Sequence, residues 1–266
     1  MTSTIPDLSR EWTAWHEQRE HELAAPHGWL SITALHRLTE LPTRYAGIPG
    51  LWSATADGVE LTAHAAEGLV VPTVREARLI DHTVHLHPVD GRPGTPVEVG
   101  ARIVEVIRRG AVHFLRVRDP QAPARVGFVG VPAFPVDERW VVPARFEPYS
   151  QPQSVTVDAV VEGLTHARSA VGVVSLDIEG VEHALVAFAG RGDELVLHFR
   201  DRTSGVSTYG GGREVVVARP AGAAFTVDLN RAVNLPCAFS AFATCPLPPP
   251  GNVLDVAVEA GEQLPA

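Results

Sequence analysis

The sequence predicts a mainly β protein: an antiparallel sandwich or barrel in two β-rich halves behind one N-terminal α-helix. Apolar residues recur with a period of two from about residue 43 onward, and turn-forming residues separate the short apolar stretches. The 23 glycines and 22 prolines supply the turns that many short strands require. Because no helical stretch falls between the predicted strands, the pattern argues against β–α–β units.

Helical periodicity is confined to the beginning of the chain. Apolar residues that include Trp12 and Trp15 follow helical spacing, with charged residues on the other faces, so we predict a helix over 8–23. Apolar residues three apart predict a second short helix over 31–38. Two tryptophans on one helix favour packing onto the β core, and the alternative is an exposed stripe that binds a partner.

Short strands account for the rest of the chain. The turn Asp57-Gly58 predicts a hairpin over 51–62. Further strands are predicted at 83–86, 102–107, 112–117, 154–161, 170–178, 183–188, 195–199, 214–218, 225–229 and 254–258. We divide the chain into a helical segment (1–40), a first β-rich half (41–135) and a second β-rich half (136–266), all forming one integrated unit. The proline-rich stretch 132–143 marks the join.

Composition limits the partners and the location. Hydrophobic residues make up 45% of the 266 residues, which is enough for a folded core. A formal net charge of −9 disfavours nucleic acid and membrane surfaces as partners. The opening residues lack the basic and apolar regions of an export signal, and there are only two cysteines, so we expect a cytoplasmic protein. The oligomeric state stays open.

Two partial motifs suggest a metal or a nucleotide, and neither is complete. His85 and His87 share one face of a predicted strand, but no third ligand follows from the pattern. The glycine-rich stretch 205–213 lacks the Lys and the Ser or Thr that a phosphate-binding loop requires. It remains either a backbone that presents N–H groups to an anion or a wide hairpin loop. We therefore expect no cofactor and no metal.

The two cysteines, Cys237 and Cys245, are separated by seven residues in an apolar segment. No sequence pattern assigns a histidine base to either thiol. We predict that both are reduced and mostly buried, and we leave a disulfide or a nucleophile as alternatives.

A dense set of polar residues near turns in the second half is the best candidate site. Polar side chains in irregular segments either cap backbone groups or face a ligand. Arg145 and Arg213 would bind an anion, Tyr209 would stack or hydrogen-bond, and Asp201 or Asp228 would orient the ligand or act as a base. The alternative is a salt-bridged corner that holds the proline-rich loop. The ligand-binding candidates are Arg145, Asp201, Ser204, Thr208, Tyr209, Arg213, Asp228, Asn230 and Asn234.

Arg213 carries the most specific prediction for this site. It follows three glycines, whose backbone can adopt positive φ and approach a ligand closely. Asp228 and Asn230 alternate along a predicted strand and would share a face. We predict that Arg213 pairs with Asp201 or Asp228 at the edge of a concave polar pocket.

Several long motifs resemble a prokaryotic family known only as domain of unknown function 1684. They are FRDRTSGVSTYGGGR at 199–213, DLNRAVNLPC at 228–237 and CPLPPPGN at 245–252, with shorter similarities at 28–31, 118–120, 144–148 and 259–262. The chain departs from the pattern at Leu229, Val233 and Gln263. The resemblance implies a single evolutionary unit and implies no reaction.

Two hypotheses about function follow. In the first, the second β-rich half binds a small anionic or polyhydroxylated molecule, as a binding protein or an enzyme. In the second, the protein is a noncatalytic β module with a structural role or with an interaction role that uses its strand edges or its tryptophan helix. The variety of polar groups in one segment favours the first hypothesis.

Overall fold

A computed structural model describes residues 5–72 and 77–265. Strands make up 47% of the chain and helices 14%, which confirms the mainly β prediction. Every pairing between the described strands is antiparallel. The elements are α1 (Ile5–Leu23), β1 (Ile32–Arg37), β2 (Thr43–Tyr45), β3 (Ile48–Ala54), β4 (Val59–Thr62), β5 (Leu69–Pro72), β6 (Ala77–Leu79), β7 (Thr83–Leu86), β8 (Thr95–Val99), β9 (Arg102–Arg109), β10 (Val112–Arg118), α2 (Pro123–Val126), β11 (Val141–Asp158), β12 (Thr165–Ile178), β13 (Val181–Ala189), β14 (Glu194–Phe199), β15 (Arg213–Ala218), β16 (Ala224–Asp228) and β17 (Val233–Asn234).

The chain forms two compact units. The middle unit is Glu22–Phe128, and the C-terminal unit combines α1, up to His21, with the chain from Val129 onward. The sequence placed the join within 132–143, whereas the division in the structure follows Phe128. Among the described helices, none is both long and apolar enough to cross a membrane.

The middle unit is a sandwich of two sheets. Their strand orders are β2-β3-β4-β7 and β1-β10-β9-β8-β5-β6. Trp52 and Leu61 from the first sheet share one apolar core with Val106 and Leu115 from the second. The predicted hairpin over 51–62 is confirmed as β3 and β4, whose register places Ala54 opposite Val59.

The predicted second helix over 31–38 is wrong. Trp29–Ser31 forms a single 3-10 turn, and β1 then pairs with β10. The β-branched Ile32 and Thr33 favour a strand, and pairing with β10 satisfies the backbone N–H and C=O groups of this segment. A bulge after Ile32 interrupts the alternation of the side chains, which explains why the apolar spacing imitated a helix.

The C-terminal unit is built on one seven-stranded sheet, in the order β16-β11-β12-β13-β14-β15-β17. Leu185 and Leu197 from this sheet pack with Leu254, Val258 and Ala260 from the end of the chain. The C-terminal segment therefore covers one face of the sheet. A smaller apolar cluster, formed by Ala170, Phe188 and Val196, lies apart from that core.

The strand predicted at 254–258 is wrong. The segment forms one parallel bridge, between Arg200 and Val253, and no strand. Leu254 N–H donates to the Arg200 carbonyl at 2.8 Å, and Arg202 N–H donates to the Val256 carbonyl at 3.1 Å. Its period-two pattern has a different origin, because Leu254 and Val258 are buried in the core while the residues between them are more exposed.

The N-terminal helix is held against the C-terminal unit by its tryptophans. Trp12 Nε1 donates to the Asn230 carbonyl at 2.6 Å. The Arg231 guanidinium lies over the Trp15 ring at 5.5 Å. These contacts support the interpretation of α1 as an element that packs onto the β core.

Candidate functional site

The predicted Arg213–Asp201 pair is confirmed. Arg213 Nη2 donates to Asp201 Oδ2 at 2.8 Å, and both side chains are fully buried. Nη2 also donates to the Val258 carbonyl at 2.8 Å, and Nη1 donates to the carbonyls of Ala260 and Glu262. Protein oxygens therefore engage both Nη groups, and the pair ties the C-terminal segment to the sheet.

The acceptor side of this pair belongs to a tight polar loop. Asp201 Oδ1 accepts from the Thr203 backbone N–H at 2.6 Å and from the Thr203 hydroxyl at 2.5 Å. The hydroxyls of Thr203 and Thr208 lie 2.8 Å apart, and Asp201 N–H donates to Ser204 Oγ at 3.1 Å. Three of the predicted site residues, Asp201, Ser204 and Thr208, thus hold the loop in one conformation and help to order Arg213.

Asp228 and Asn230 do not alternate along a strand, so that prediction is wrong. β16 ends at Asp228, whose Oδ1 accepts from the Asn230 backbone N–H at 3.0 Å and caps a 3-10 turn. A short polar side chain can end a strand in this way when it accepts a hydrogen bond from the backbone N–H two residues later. The Asn230 side chain bonds both backbone groups of Asp137, and Asp228 lies 3.4 Å from Arg231 rather than at Arg213.

The remaining predicted residues lie in three separate places. Asn234 bonds Glu262 and the Gln263 carbonyl, and its own carbonyl accepts from Arg19. Arg145 is exposed on β11, which three strands separate from β15. Tyr209 is half-buried and its hydroxyl bonds Cys237. The nine candidates therefore do not form one site.

A different set of charged residues converges on the other face of the sheet. The register places His198 of β14 opposite Glu214 of β15, and side chains alternate along a strand, so these two point away from the face that carries Arg213. Arg168 Nη1 of β12 lies 3.1 Å from His198 Nδ1. Because a guanidinium can only donate, Nδ1 is the acceptor and Nε2 carries the proton. That Nε2 is buried without a hydrogen-bond partner.

Positive charge surrounds this histidine. Burial, followed by the charges of Arg168 and Arg200, lowers the pKa of His198 to about 3, so its imidazole is neutral at neutral pH. Burial also lowers the pKa of Arg168, which stays charged because a guanidinium is too basic to lose its proton. Within the described part of the chain, neither arginine forms an ion pair with an acid.

Glu214 is the acid whose negative charge acts on Arg168, and its side chain has no partner among the described residues. Its side chain is half-buried and makes no hydrogen bond or ion pair with any residue in the described ranges 5–72 and 77–265. Burial raises the pKa of Glu214 and outweighs the opposing charges of Arg168 and Arg19. A carboxyl of this kind takes up a proton more readily than an exposed glutamate and can then donate it.

Two thiols lie near the same carboxyl. Cys237 N–H donates to Cys245 Sγ at 3.2 Å, and the two thiols hydrogen-bond each other. Cys245 is buried as predicted, but Cys237 is only half-buried, so the prediction that both are mostly buried holds for one of them. The negative charge of Glu214 opposes ionisation of both thiols, although the pKa of Cys237 is lowered overall, chiefly by its hydrogen bond to Cys245.

The sequence reasoning missed Arg168, His198 and Glu214, although each left a signal. Each is an ionisable residue in or next to an apolar strand, as in LVLHF at 195–199 and EVVV at 214–217. Such residues are rarely buried unless they are paired or functional. The polar loop attracted attention instead because its polar residues are dense in sequence.

An open cleft of about 470 Å³ lies in the middle unit. It lies between 37–40, 54–56 and 111–113, and its floor includes His113, which is buried with Nε2 unpartnered. His85 and His87 are exposed and face Glu60 and Asp57, respectively. In the described ranges, no cluster of three ligating side chains could hold a metal ion.

Comparisons with known proteins identify a family and no activity. A family model described as "Protein of unknown function (DUF1684)" matches residues 126–263, just over half of the chain. An uncharacterized protein of Haloarcula marismortui, solved by solution NMR, is 32% identical over 52% of this chain and 78% of its own, with a TM-score of 0.44. No curated protein matches. The chain therefore belongs to the family of domain of unknown function 1684, and the matched region falls almost wholly within the C-terminal unit.

Proposed function

We propose that the C-terminal unit binds a small anionic molecule at Arg168 and Arg200, beside His198 and Glu214. The observation that carries this proposal is the pair of partly buried arginines that flank a buried, neutral histidine, neither of which forms an ion pair with an acid of the described residues. A metabolite with a carboxylate or phosphate group has the chemistry that such a pair recognises.

The energetics support an anionic ligand. A partly buried guanidinium without a salt-bridge partner loses solvation that an anionic ligand can replace. Arg168 already directs one N–H to His198, and its side chain lies over the Phe188 ring at 4.3 Å, so its position is set before a ligand arrives. The anion-binding role that the sequence assigned to Arg145 and Arg213 is therefore proposed for Arg168 and Arg200 instead.

Glu214 gives this site a candidate proton donor. A carboxyl whose pKa is raised by burial can, when protonated, donate a hydrogen bond to a ligand hydroxyl or act as a general acid. This observation favours an enzyme over a passive binding protein. The alternative of an interaction module that uses its tryptophan helix has less support, because Trp12 and Trp15 are occupied by contacts within the C-terminal unit.

The location and the origin of the protein are also proposals. Two free thiols in contact are typical of a reducing compartment, which supports a cytoplasmic location. The prokaryotic origin that the resemblance implies stays a prediction.

Thermal unfolding in the presence of small anions tests the proposal. The probes are inorganic phosphate, sulfate and citrate, each added to the wild-type protein, to Arg168→Gln and to the matched control Arg145→Gln, whose arginine is exposed on the same sheet. An anion at 100 times its Kd stabilises the folded state by about 2.7 kcal/mol. For a chain of this size, that is a rise in Tm of about 5–10 °C.

We expect at least one anion to raise the Tm of the wild type and of Arg145→Gln, and to leave the Tm of Arg168→Gln unchanged. An equal rise in Arg168→Gln would contradict the proposal, and so would the absence of a rise with every anion.

A further inference from the structure

The only two cysteines of the chain are already in contact, although seven residues separate them in sequence. Cys237 N–H donates to Cys245 Sγ at 3.2 Å, and a side-chain hydrogen bond joins the two thiols. Because the Cys245 sulfur lies against the Cys237 backbone, a small side-chain movement is enough to bring the two sulfurs to disulfide geometry. This observation is independent of the proposed anion site.

The two thiols differ in access to solvent. Cys237 is half-buried and Cys245 is buried. A soluble disulfide can therefore reach Cys237 first, while Cys245 stays protected behind it. This is the arrangement of a nucleophilic cysteine and a resolving cysteine.

Hydrogen bonds favour the thiolate of Cys237. The Cys245 thiol and then the Tyr209 hydroxyl donate to it, and they lower the pKa of Cys237 against the effects of burial and of the Glu214 charge. The same contact with Cys237, together with burial, raises the pKa of Cys245, which stays protonated. Because the thiolate is the nucleophile, reactivity is concentrated on Cys237.

The backbone on both sides of the pair is fixed. Cys237 lies in the 3-10 turn Pro236–Ala238, and the Cys245 carbonyl accepts from Val160 N–H at 3.0 Å. His166 Nε2 lies 2.6 Å from the Thr244 carbonyl. The sulfurs are thus held together by the fold and do not meet through a mobile loop.

We propose that Cys237 and Cys245 form a redox-active dithiol that reduces the disulfides of small thiol compounds. The Cys237 thiolate attacks one sulfur of R–S–S–R, a Cys237–S–S–R bond forms, and R–S⁻ leaves. Cys245 then loses its proton and attacks the Cys237 sulfur, which forms the Cys237–Cys245 disulfide and releases the second R–S⁻. Two electrons pass from the dithiol to the substrate disulfide, and the two thiol protons end on two molecules of R–SH.

Exposure of the native, full-length protein to oxidised glutathione at neutral pH tests this proposal. The reaction is quenched with acid, free thiols are blocked with N-ethylmaleimide, and peptides are identified by mass spectrometry. In the wild type we expect an intramolecular Cys237–Cys245 disulfide. In Cys245→Ser, which cannot resolve, we expect a stable mixed disulfide of glutathione on Cys237.

The reverse variant and a positioning variant complete the test. In Cys237→Ser, glutathione should modify Cys245 on the order of tenfold more slowly, because that thiol is buried and protonated. Tyr209→Phe removes a hydrogen bond to the thiolate, so it should slow the formation of the mixed disulfide in a Cys245→Ser background. A wild-type protein that keeps both thiols free, or a Cys245→Ser protein without an adduct on Cys237, would overturn the proposal.

Discussion

Replacement of Asp201 by Asn tests the buried ion pair as a structural element. The change keeps the shape of the side chain and removes the carboxylate that pairs with Arg213, whose side chain is fully buried. A buried charge that loses its partner destabilises a protein by about 3–5 kcal/mol. We expect Asp201→Asn to lower the free energy of unfolding by about that amount, and its effect to be strongly non-additive with that of Arg213→Met.

Urea unfolding of the full-length protein measures this effect, with a matched control in the same unit. The control is Asp255→Asn, because Asp255 also pairs with an arginine at 2.9 Å, Arg202, but both side chains are exposed. With a slope of about 2–3 kcal/mol per molar urea, Asp201→Asn should lower the midpoint by about 1–2 M. Asp255→Asn should leave it unchanged. Equal effects of the two substitutions would refute the argument.

Three further predictions concern single residues. Glu214→Gln should raise Tm at pH 7, because burial raises the pKa of Glu214 and so disfavours its charged form. The gain in Tm should shrink as the pH falls and the wild-type carboxyl takes up a proton. Scanning calorimetry at pH 7 and pH 5 measures this difference. His198 has a pKa of about 3 when folded, so between about pH 6.5 and pH 3 only the unfolded chain binds its proton. Within that window the stability advantage of the wild type over His198→Gln should fall by about 1.4 kcal/mol per pH unit as the pH is lowered. Urea midpoints that fall in parallel for both proteins would contradict it. Gly212→Ala should lower the free energy of unfolding by at least about 1–3 kcal/mol, because φ of Gly212 is +93° and a Cβ would lie 2.5 Å from the Phe199 carbonyl oxygen. An unchanged melting temperature would contradict this, because it would show that the loop adapts.

The fold was predictable where the sequence pattern has a local cause. A turn such as Asp57-Gly58 and the alternation of buried and exposed residues around it fixed β3 and β4. The pattern misled at 31–38 and at 254–258, for different reasons. A bulge changed the spacing in β1. The C-terminal segment alternates because one side faces the core, although a single parallel bridge, Arg200 to Val253, is its pairing with the end of β14.

The site was less predictable, because it depends on which strands are neighbours. The Arg213–Asp201 pair follows from a loop that returns on itself, so its two ends are close in sequence as well as in space. Arg168, His198 and Glu214 come from three strands and meet only through the register of the sheet. The spacing of these three residues in the sequence does not predict that they are neighbours. Ionisable residues in apolar strands were the available signal.

The most direct test of the anion site observes the arginine side chains themselves. Titration of the ¹⁵N-labelled protein with phosphate, sulfate or citrate is followed through the Nε–Hε resonances of the arginines in two-dimensional NMR spectra, assigned by single Arg→Gln variants. We predict a saturable shift of the Arg168 and Arg200 resonances, while those of buried Arg213 and exposed Arg145 stay in place. Saturable binding that moves other arginines and leaves Arg168 and Arg200 unchanged, or no saturable shift with any of the three anions, would contradict the account.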